Sequence, residues 1–173
     1  ATCPTFDPPA DMVLRDTFVY CAERLRFQVV NVARPREPVL VGSCVLQSDS
    51  YGMCLVDSLA YVSNWPLSII NVADPANPVV VGTAWHGSED IAVVDSLAYL
   101  ANGGLFVYNV ARPTAPFAVD SLCGVFDAFS VVVVQTLAYV GCRDGVRLVD
   151  VSDPHNMQVL ASGPAPSTVW RIA

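Results

Sequence analysis

Apolar residues along this chain come in short runs rich in Val, Ile, Leu and Tyr, and Pro, Gly, Asp and Asn break them at regular intervals. Runs of that length and composition predict β-strands, and the breakers predict the turns between them. The stretch "SIINVADPANPVVVG", Ser68 to Gly82, shows the grammar: a strand, a Pro-rich turn, a second strand. The same grammar recurs. Its front half reads "DTFVYC" at Asp16, "DSLAYV" at Asp57, "DSLAYL" at Asp95 and "QTLAYV" at Gln135. Its back half reads "VVNVARPREPVLVG", "IINVADPANPVVVG", "VYNVARPTAPFAVD" and "LVDVSDPHNMQVLA", beginning at Val29, Ile69, Val107 and Leu148.

Taking Asn31, Asn71, Asn109 and Asp150 as equivalent gives spacings of 40, 38 and 41 residues. That is the size of one four-stranded propeller blade. In the second repeat the strands parse as Met53 to Val56, Leu59 to Ser63, Leu67 to Val72 and Val79 to Thr83. The third strand is apolar on both sides of its pleat, with Leu67 and Ile69 facing one way and Ile70 and Val72 the other. A sheet with two apolar faces has to be sandwiched between neighbours, as blades around an axis are. The expected fold is therefore all-β: a β-propeller of about four four-stranded blades with an extra C-terminal strand. Its alternatives are an open stack or solenoid, and part of a larger propeller completed by another chain or by further repeats. The expected organisation is a Pro-rich arm over residues 1–11 and a propeller domain over 12–173. Its repeats run over about 12–44, 53–83, 91–122 and 131–161, with an orphan strand at 168–173.

The segments "VRLVDVSDP" at Val146 and "LSIINVADPANP" at Leu67 resemble the LVIVD repeat, a propeller-forming repeat of exported and surface-associated prokaryotic proteins. The resemblance extends from Met12 onward and implies a propeller. It implies no common reaction, and it carries no catalytic residue over to this chain. The fourth copy departs from it by placing Met157 where the others have proline.

Composition narrows the function. The chain is 53% hydrophobic and 14% charged, with sixteen acidic residues against nine basic ones, all nine of them arginine, and a formal charge of −7. Such a chain is a poor match for nucleic-acid phosphates or anionic membranes, and no apolar run approaches the ~20 residues of a membrane helix. Neither nucleic-acid binding nor membrane insertion is expected. The six cysteines, Cys3, Cys21, Cys44, Cys54, Cys123 and Cys142, contain no CxxC pair, so no metal site and no cofactor is expected. Their even number fits disulfides in an oxidising compartment, against the plainer reading of buried free thiols. The start "ATCPTFDPPAD" lacks a methionine, as a mature chain does after signal-peptide removal and as a trimmed piece also does. Secretion or cell-surface display is the expected location.

Residues that every repeat shares are scaffold: Asn31, Asn71, Asn109 and Asp150 are turn-formers, as are Asp16, Asp57 and Asp95 in two-residue hairpin loops. Unrepeated residues are the better candidates for function. They collect in "QSDSYG" from Gln47, "WHGSED" from Trp85 and "CGVFDAF" from Cys123. Propeller geometry would gather Asp49, Glu89, Asp90 and Asp127 there as an acidic surface for a cation, a glycan or a basic partner, with Tyr51, Trp85, His86 and Phe126 at its edge. The plain alternative is that these loops are polar because they are wet. No nucleophile, acid–base or phosphate-binding motif is present, so an enzyme is not expected.

The end of the chain begins a fifth copy. "TVWRIA" stands where "DIAVVD" and "GMCLVD" stand in earlier repeats, which makes Val169, Trp170, Arg171 and Ile172 a candidate assembly strand. Three readings are open: a cut propeller, a strand that closes a four-bladed ring beside Met12 to Arg15, or a strand added to a neighbouring subunit. The expected function is a non-enzymatic exported structural or interaction module that associates with itself through strand pairing and disulfides, as an oligomer or a surface filament, or with other surface proteins; the alternative is a ligand-, glycan- or cation-binding propeller that uses the acidic loops on one face. Among fifteen possible disulfide patterns, the pairing drawn is Cys21 with Cys142 and Cys44 with Cys54, leaving Cys3 for Cys123 or another subunit.

Overall fold

The computed structural model describes residues 7–123, 127–165 and 167–172. Its strands form four antiparallel sheets of four, each a meander in chain order. The first sheet contains β1 (Asp11–Arg15), β2 (Phe18–Ala22), β3 (Arg26–Asn31) and β4 (Val39–Val45), and the second β5 (Ser50–Val56), β6 (Leu59–Asn64), β7 (Leu67–Asn71) and β8 (Val79–Ala84). The third contains β9 (Asp90–Val94), β10 (Leu97–Ala101), β11 (Gly104–Asn109) and β12 (Phe117–Cys123), and the fourth β13 (Ala128–Val134), β14 (Leu137–Cys142), β15 (Gly145–Asp150) and β16 (Gln158–Pro164). The all-β class and the four four-stranded blades are as the repeats lead one to expect.

Local chemistry sets each blade. Arg15 pairs with Phe18 and Val56 with Leu59, which leaves two-residue loops. The first loop residue is left-handed in every blade: Asp16 at φ 55°, Asp57 at 47°, Asp95 at 52° and Gln135 at 55°. Asp tolerates that region better than most residues, because its short polar side chain bonds locally. At the end of each third strand, Oδ1 of Asn31, Asn71, Asn109 and Asp150 accepts from the backbone N–H two residues on, at 2.9–3.0 Å. These are Asx turns, so the repeated Asn and Asp are used up in turning the chain. Every fourth strand carries a bulge opposite the same place, between Val29/Val30, Ile69/Ile70, Val107/Tyr108 and Leu148/Val149.

Two details differ from the sequence reading. β5 begins at Ser50, three residues before Met53, because Tyr51 bulges out between Ser50 and Gly52 while Ser63 Oγ accepts from Gly52 N–H at 2.7 Å. Residues 168–172 form no strand. Val169 N–H donates instead to Cys142 O of the fourth sheet, at 3.0 Å.

The chain divides between His86 and Gly87 into two compact units, each of two sheets. In the first unit, Tyr20, Ala22, Phe27 and Val29 of the first sheet share a core with Met53, Ala60, Val62, Ile70 and Val72 of the second, and Leu55 packs against it. In the second unit, Tyr99, Ala101, Leu105 and Val107 share a core with Val131, Ala138, Val140, Val149 and Val151, and Val133 packs against it. One face of the leading sheet thus meets the opposite face of the sheet that follows.

Each junction also has the same polar tie. Asp11 Oδ1 accepts from Met12 N–H at 2.9 Å and its Oδ2 from Met53 N–H of the next sheet at 3.0 Å. Asp90 does likewise with Ile91 N–H at 2.9 Å and Val131 N–H at 3.1 Å. Gly42 belongs to the first junction alone. A Cβ there would stand 2.2 Å from the Pro75 carbonyl and 2.8 Å from Pro78 Cδ, so no larger residue fits without movement.

Candidate functional site

Two of the unrepeated loop carboxylates are held in ion pairs. Arg24 Nε lies 3.3 Å from Asp49 Oδ1, and Arg143 Nε lies 2.7 Å from Asp127 Oδ2, each an exposed pair between a β2–β3-type loop and the segment entering the next sheet. Asp49 holds the Arg24 guanidinium in its charged form by hydrogen bond and charge together. Glu89 is anchored through its backbone, whose N–H donates to Ala101 O at 2.9 Å. Asp90 is the junction tie already described. Among the described residues no group of three His, Cys, Asp or Glu side chains stands close enough to hold a metal ion. Phe126 lies outside the described residues.

The same segments do build an aromatic cleft. Gln47, Trp65, Pro66 and Trp85 line a cleft of about 320 Å³ in the first unit, with Trp65 58% and Trp85 86% exposed. Trp65 N–H donates to Ser48 Oγ at 2.8 Å, which ties the β6–β7 turn to the segment leading into β5. Gln47 and Trp85 belong to the segments that sequence reading singles out. Trp65 and Pro66 were missed, although "NWPL" is itself an unrepeated turn.

The C-terminal residues lie on the fourth sheet. Val169 N–H donates to Cys142 O at 3.0 Å, and the Trp170 ring stands 4.6 Å from that of Phe129, tilted by 49°. A Cβ on Gly141 would meet Val169 O at 2.7 Å and its Cγ1 at 2.9 Å, so Val169 covers the Gly141 end of this face. Other positions of this face are less covered than their counterparts in the earlier repeats. Tyr20, Tyr61 and Tyr99 are 2%, 3% and 4% exposed, whereas Tyr139 at the equivalent position is 37% exposed. Val146 and Leu148 are half-buried, whereas their counterparts Phe27, Leu67, Leu105 and Val29, Ile69, Val107 are fully buried.

Among the described cysteines no disulfide is present. Cys21, Cys44, Cys54, Cys123 and Cys142 are all thiols outside any disulfide, and Cys3 lies outside the described residues. Strand parity explains the failure of Cys44 with Cys54. Cys44 packs into the core between the first and second sheets. Cys54 alternates with Met53 and Leu55, which point into that core, and so projects from the opposite face of the second sheet. Cys142 is sealed in the core of the second unit, with Sγ donating to Val140 O at 3.4 Å. Burial pushes the Cys44 and Cys142 thiols up to about 11, which leaves both protonated and poorly nucleophilic at neutral pH. Cys123, at the end of β12, is exposed.

Comparison with known proteins agrees with the fold. Residues 127–162, the fourth repeat, match the family model of the LVIVD repeat. No curated protein matches the chain. Among solved structures, a crystal structure of the computationally designed Ika8 protein is similar at a TM-score of 0.66 and 11% identity, over 92% of this chain and 50% of that one. The chain thus spans about half the length of that designed protein, and at this identity the likeness concerns the fold alone. The chain carries the LVIVD repeat, in an all-β fold of four four-stranded blades.

Proposed function

We propose that the protein is a non-enzymatic structural and interaction module, exported or displayed at the cell surface, that associates with itself as an oligomer or filament. One observation carries this reading: a tyrosine buried in three repeats is 37% exposed in the fourth, on a face that also carries Val146 and Leu148. Exposed contiguous apolar surface marks interaction sites. Export rests on the resemblance to surface-associated LVIVD-repeat proteins. Other surface proteins are the alternative partners. Light scattering coupled to size exclusion, with and without reductant, is expected to give a mass above 18.5 kDa in both conditions. A monomer mass at every concentration would overturn the reading.

The Trp65–Trp85 cleft favours a second reading, a binding module for a neutral ligand such as a glycan. Its size and its aromatic lining with one amide suit a small ligand. Quenching or shift of tryptophan fluorescence on titration with oligosaccharides, lost in Trp85→Ala, is the expected signature. An unchanged spectrum across a broad glycan set would remove this reading.

A further inference from the structure

We infer that the open face of the fourth sheet is the docking site for the first sheet of a second copy of this chain, in the register that joins the two sheets within each unit. The inference rests on the proposed self-association and names its surface.

The register is written twice in the structure. In the first unit Tyr20, Phe27 and Val29 face Met53 and Leu55. In the second unit Tyr99, Leu105 and Val107 face Val131 and Val133. Counting back from the hairpin Asp or Gln, Met53 and Val131 stand four residues before the turn, and so does Met12; Leu55 and Val133 stand two residues before it, and so does Leu14. Met12 and Leu14 are thus the first repeat's version of the surface that covers a preceding sheet.

Met12 is 57% exposed, against 6% for Met53 and 2% for Val131. Leu14 is exposed as well. The opposite half of such a junction is Tyr139, 37% exposed, with Val146 and Leu148, which are half-buried. Each set matches one half of the junction that each unit builds, and a second copy supplies the other half to each. Val169 and Trp170 border the docking face at its Gly141 and Phe129 end. Tyr139 is the expected centre of the contact, since buried aromatic anchors dominate interfaces.

The test uses the whole chain. Tyr139→Arg and Met12→Glu are each expected to weaken self-association by about 30-fold or more in sedimentation velocity, the loss typical of a hot-spot residue. Both sites are exposed in the single chain, so each variant should keep its thermal transition, and circular dichroism checks this. Mixing the two variants places the introduced arginine of one copy against the introduced glutamate of the other and leaves the second junction native. The mixture is therefore expected to regain association that neither variant shows alone. Wild-type association that persists in both variants would overturn this docking mode while leaving self-association standing. A wild type that stays monomeric throughout would overturn both, and would leave the face to a further repeat or another protein.

Discussion

Tyr99 and Tyr139 are the same residue in the same strand position of two adjacent repeats, yet one is sealed in a core and the other is open to water. Nothing in their own repeats accounts for the difference. Each sits on a two-residue hairpin whose first residue is left-handed, and each repeat ends its third strand in an Asx turn. What differs is the cover: Tyr99 shares a core with Val131, with Val133 packed against it, and Tyr139 is 37% exposed. A repeat fixes which face it offers, and the neighbour decides whether that face is interior or interface.

Substitutions can break this contrast, and the largest effect belongs to the sealed side. Leu105→Ala is expected to cost roughly 3 kcal/mol in chemical denaturation, as a truncation in a closed core does, while Val146→Ala at the equivalent open position should cost under about 1 kcal/mol for the monomer. Equal costs would mean that the fourth face is as well packed as the third. Gly42→Ala comes next, at about 2 kcal/mol, because its Cβ meets the Pro75 carbonyl and the Pro78 ring. The second junction has Asp120 at that position, opposite Val107 as Gly42 is opposite Val29, so the penalty is confined to the first unit.

Asp90→Ala removes an acceptor from Ile91 and Val131 N–H and is expected to cost about 1–2 kcal/mol, with Asp11→Ala similar in the first unit. A smaller effect comes from pH. Burial raises the Cys44 and Cys142 thiols from an ordinary 9.0 to about 11, so the folded chain keeps protons that the unfolded chain releases. That contribution is complete below pH 9 and is lost as pH rises towards 11. Denaturation midpoints should fall over this window, and the fall should shrink in Cys44→Ala.

The blades were legible in the sequence because their determinants are local. Asp16, Asp57, Asp95 and the Asn of each third strand act on residues one or two positions away, so their pattern and their chemistry are read together. The ties at Asp11 and Asp90 are not local, since each reaches an amide about forty residues on. Asp90 consequently read as part of an acidic surface. A clue was present: Asp stands five residues before the turn in the first and third repeats, where the second and fourth have Gly52 and Ser130. That alternation mirrors the two units. Strand parity likewise places Cys44 and Cys54 on opposite faces of the second sheet, although spacing alone had paired them. The Trp65–Trp85 cleft was half legible, because only one of its tryptophans lies in a segment between repeats.

The most direct test of the open-face account is tyrosine nitration mapped by mass spectrometry on the whole chain across a dilution series. Tyr20, Tyr61 and Tyr99 are expected to stay protected at every concentration, while Tyr139 is modified in dilute protein and becomes protected as concentration rises. Modification of Tyr139 at one unchanged rate from the lowest to the highest concentration would contradict the claim that a second copy covers it.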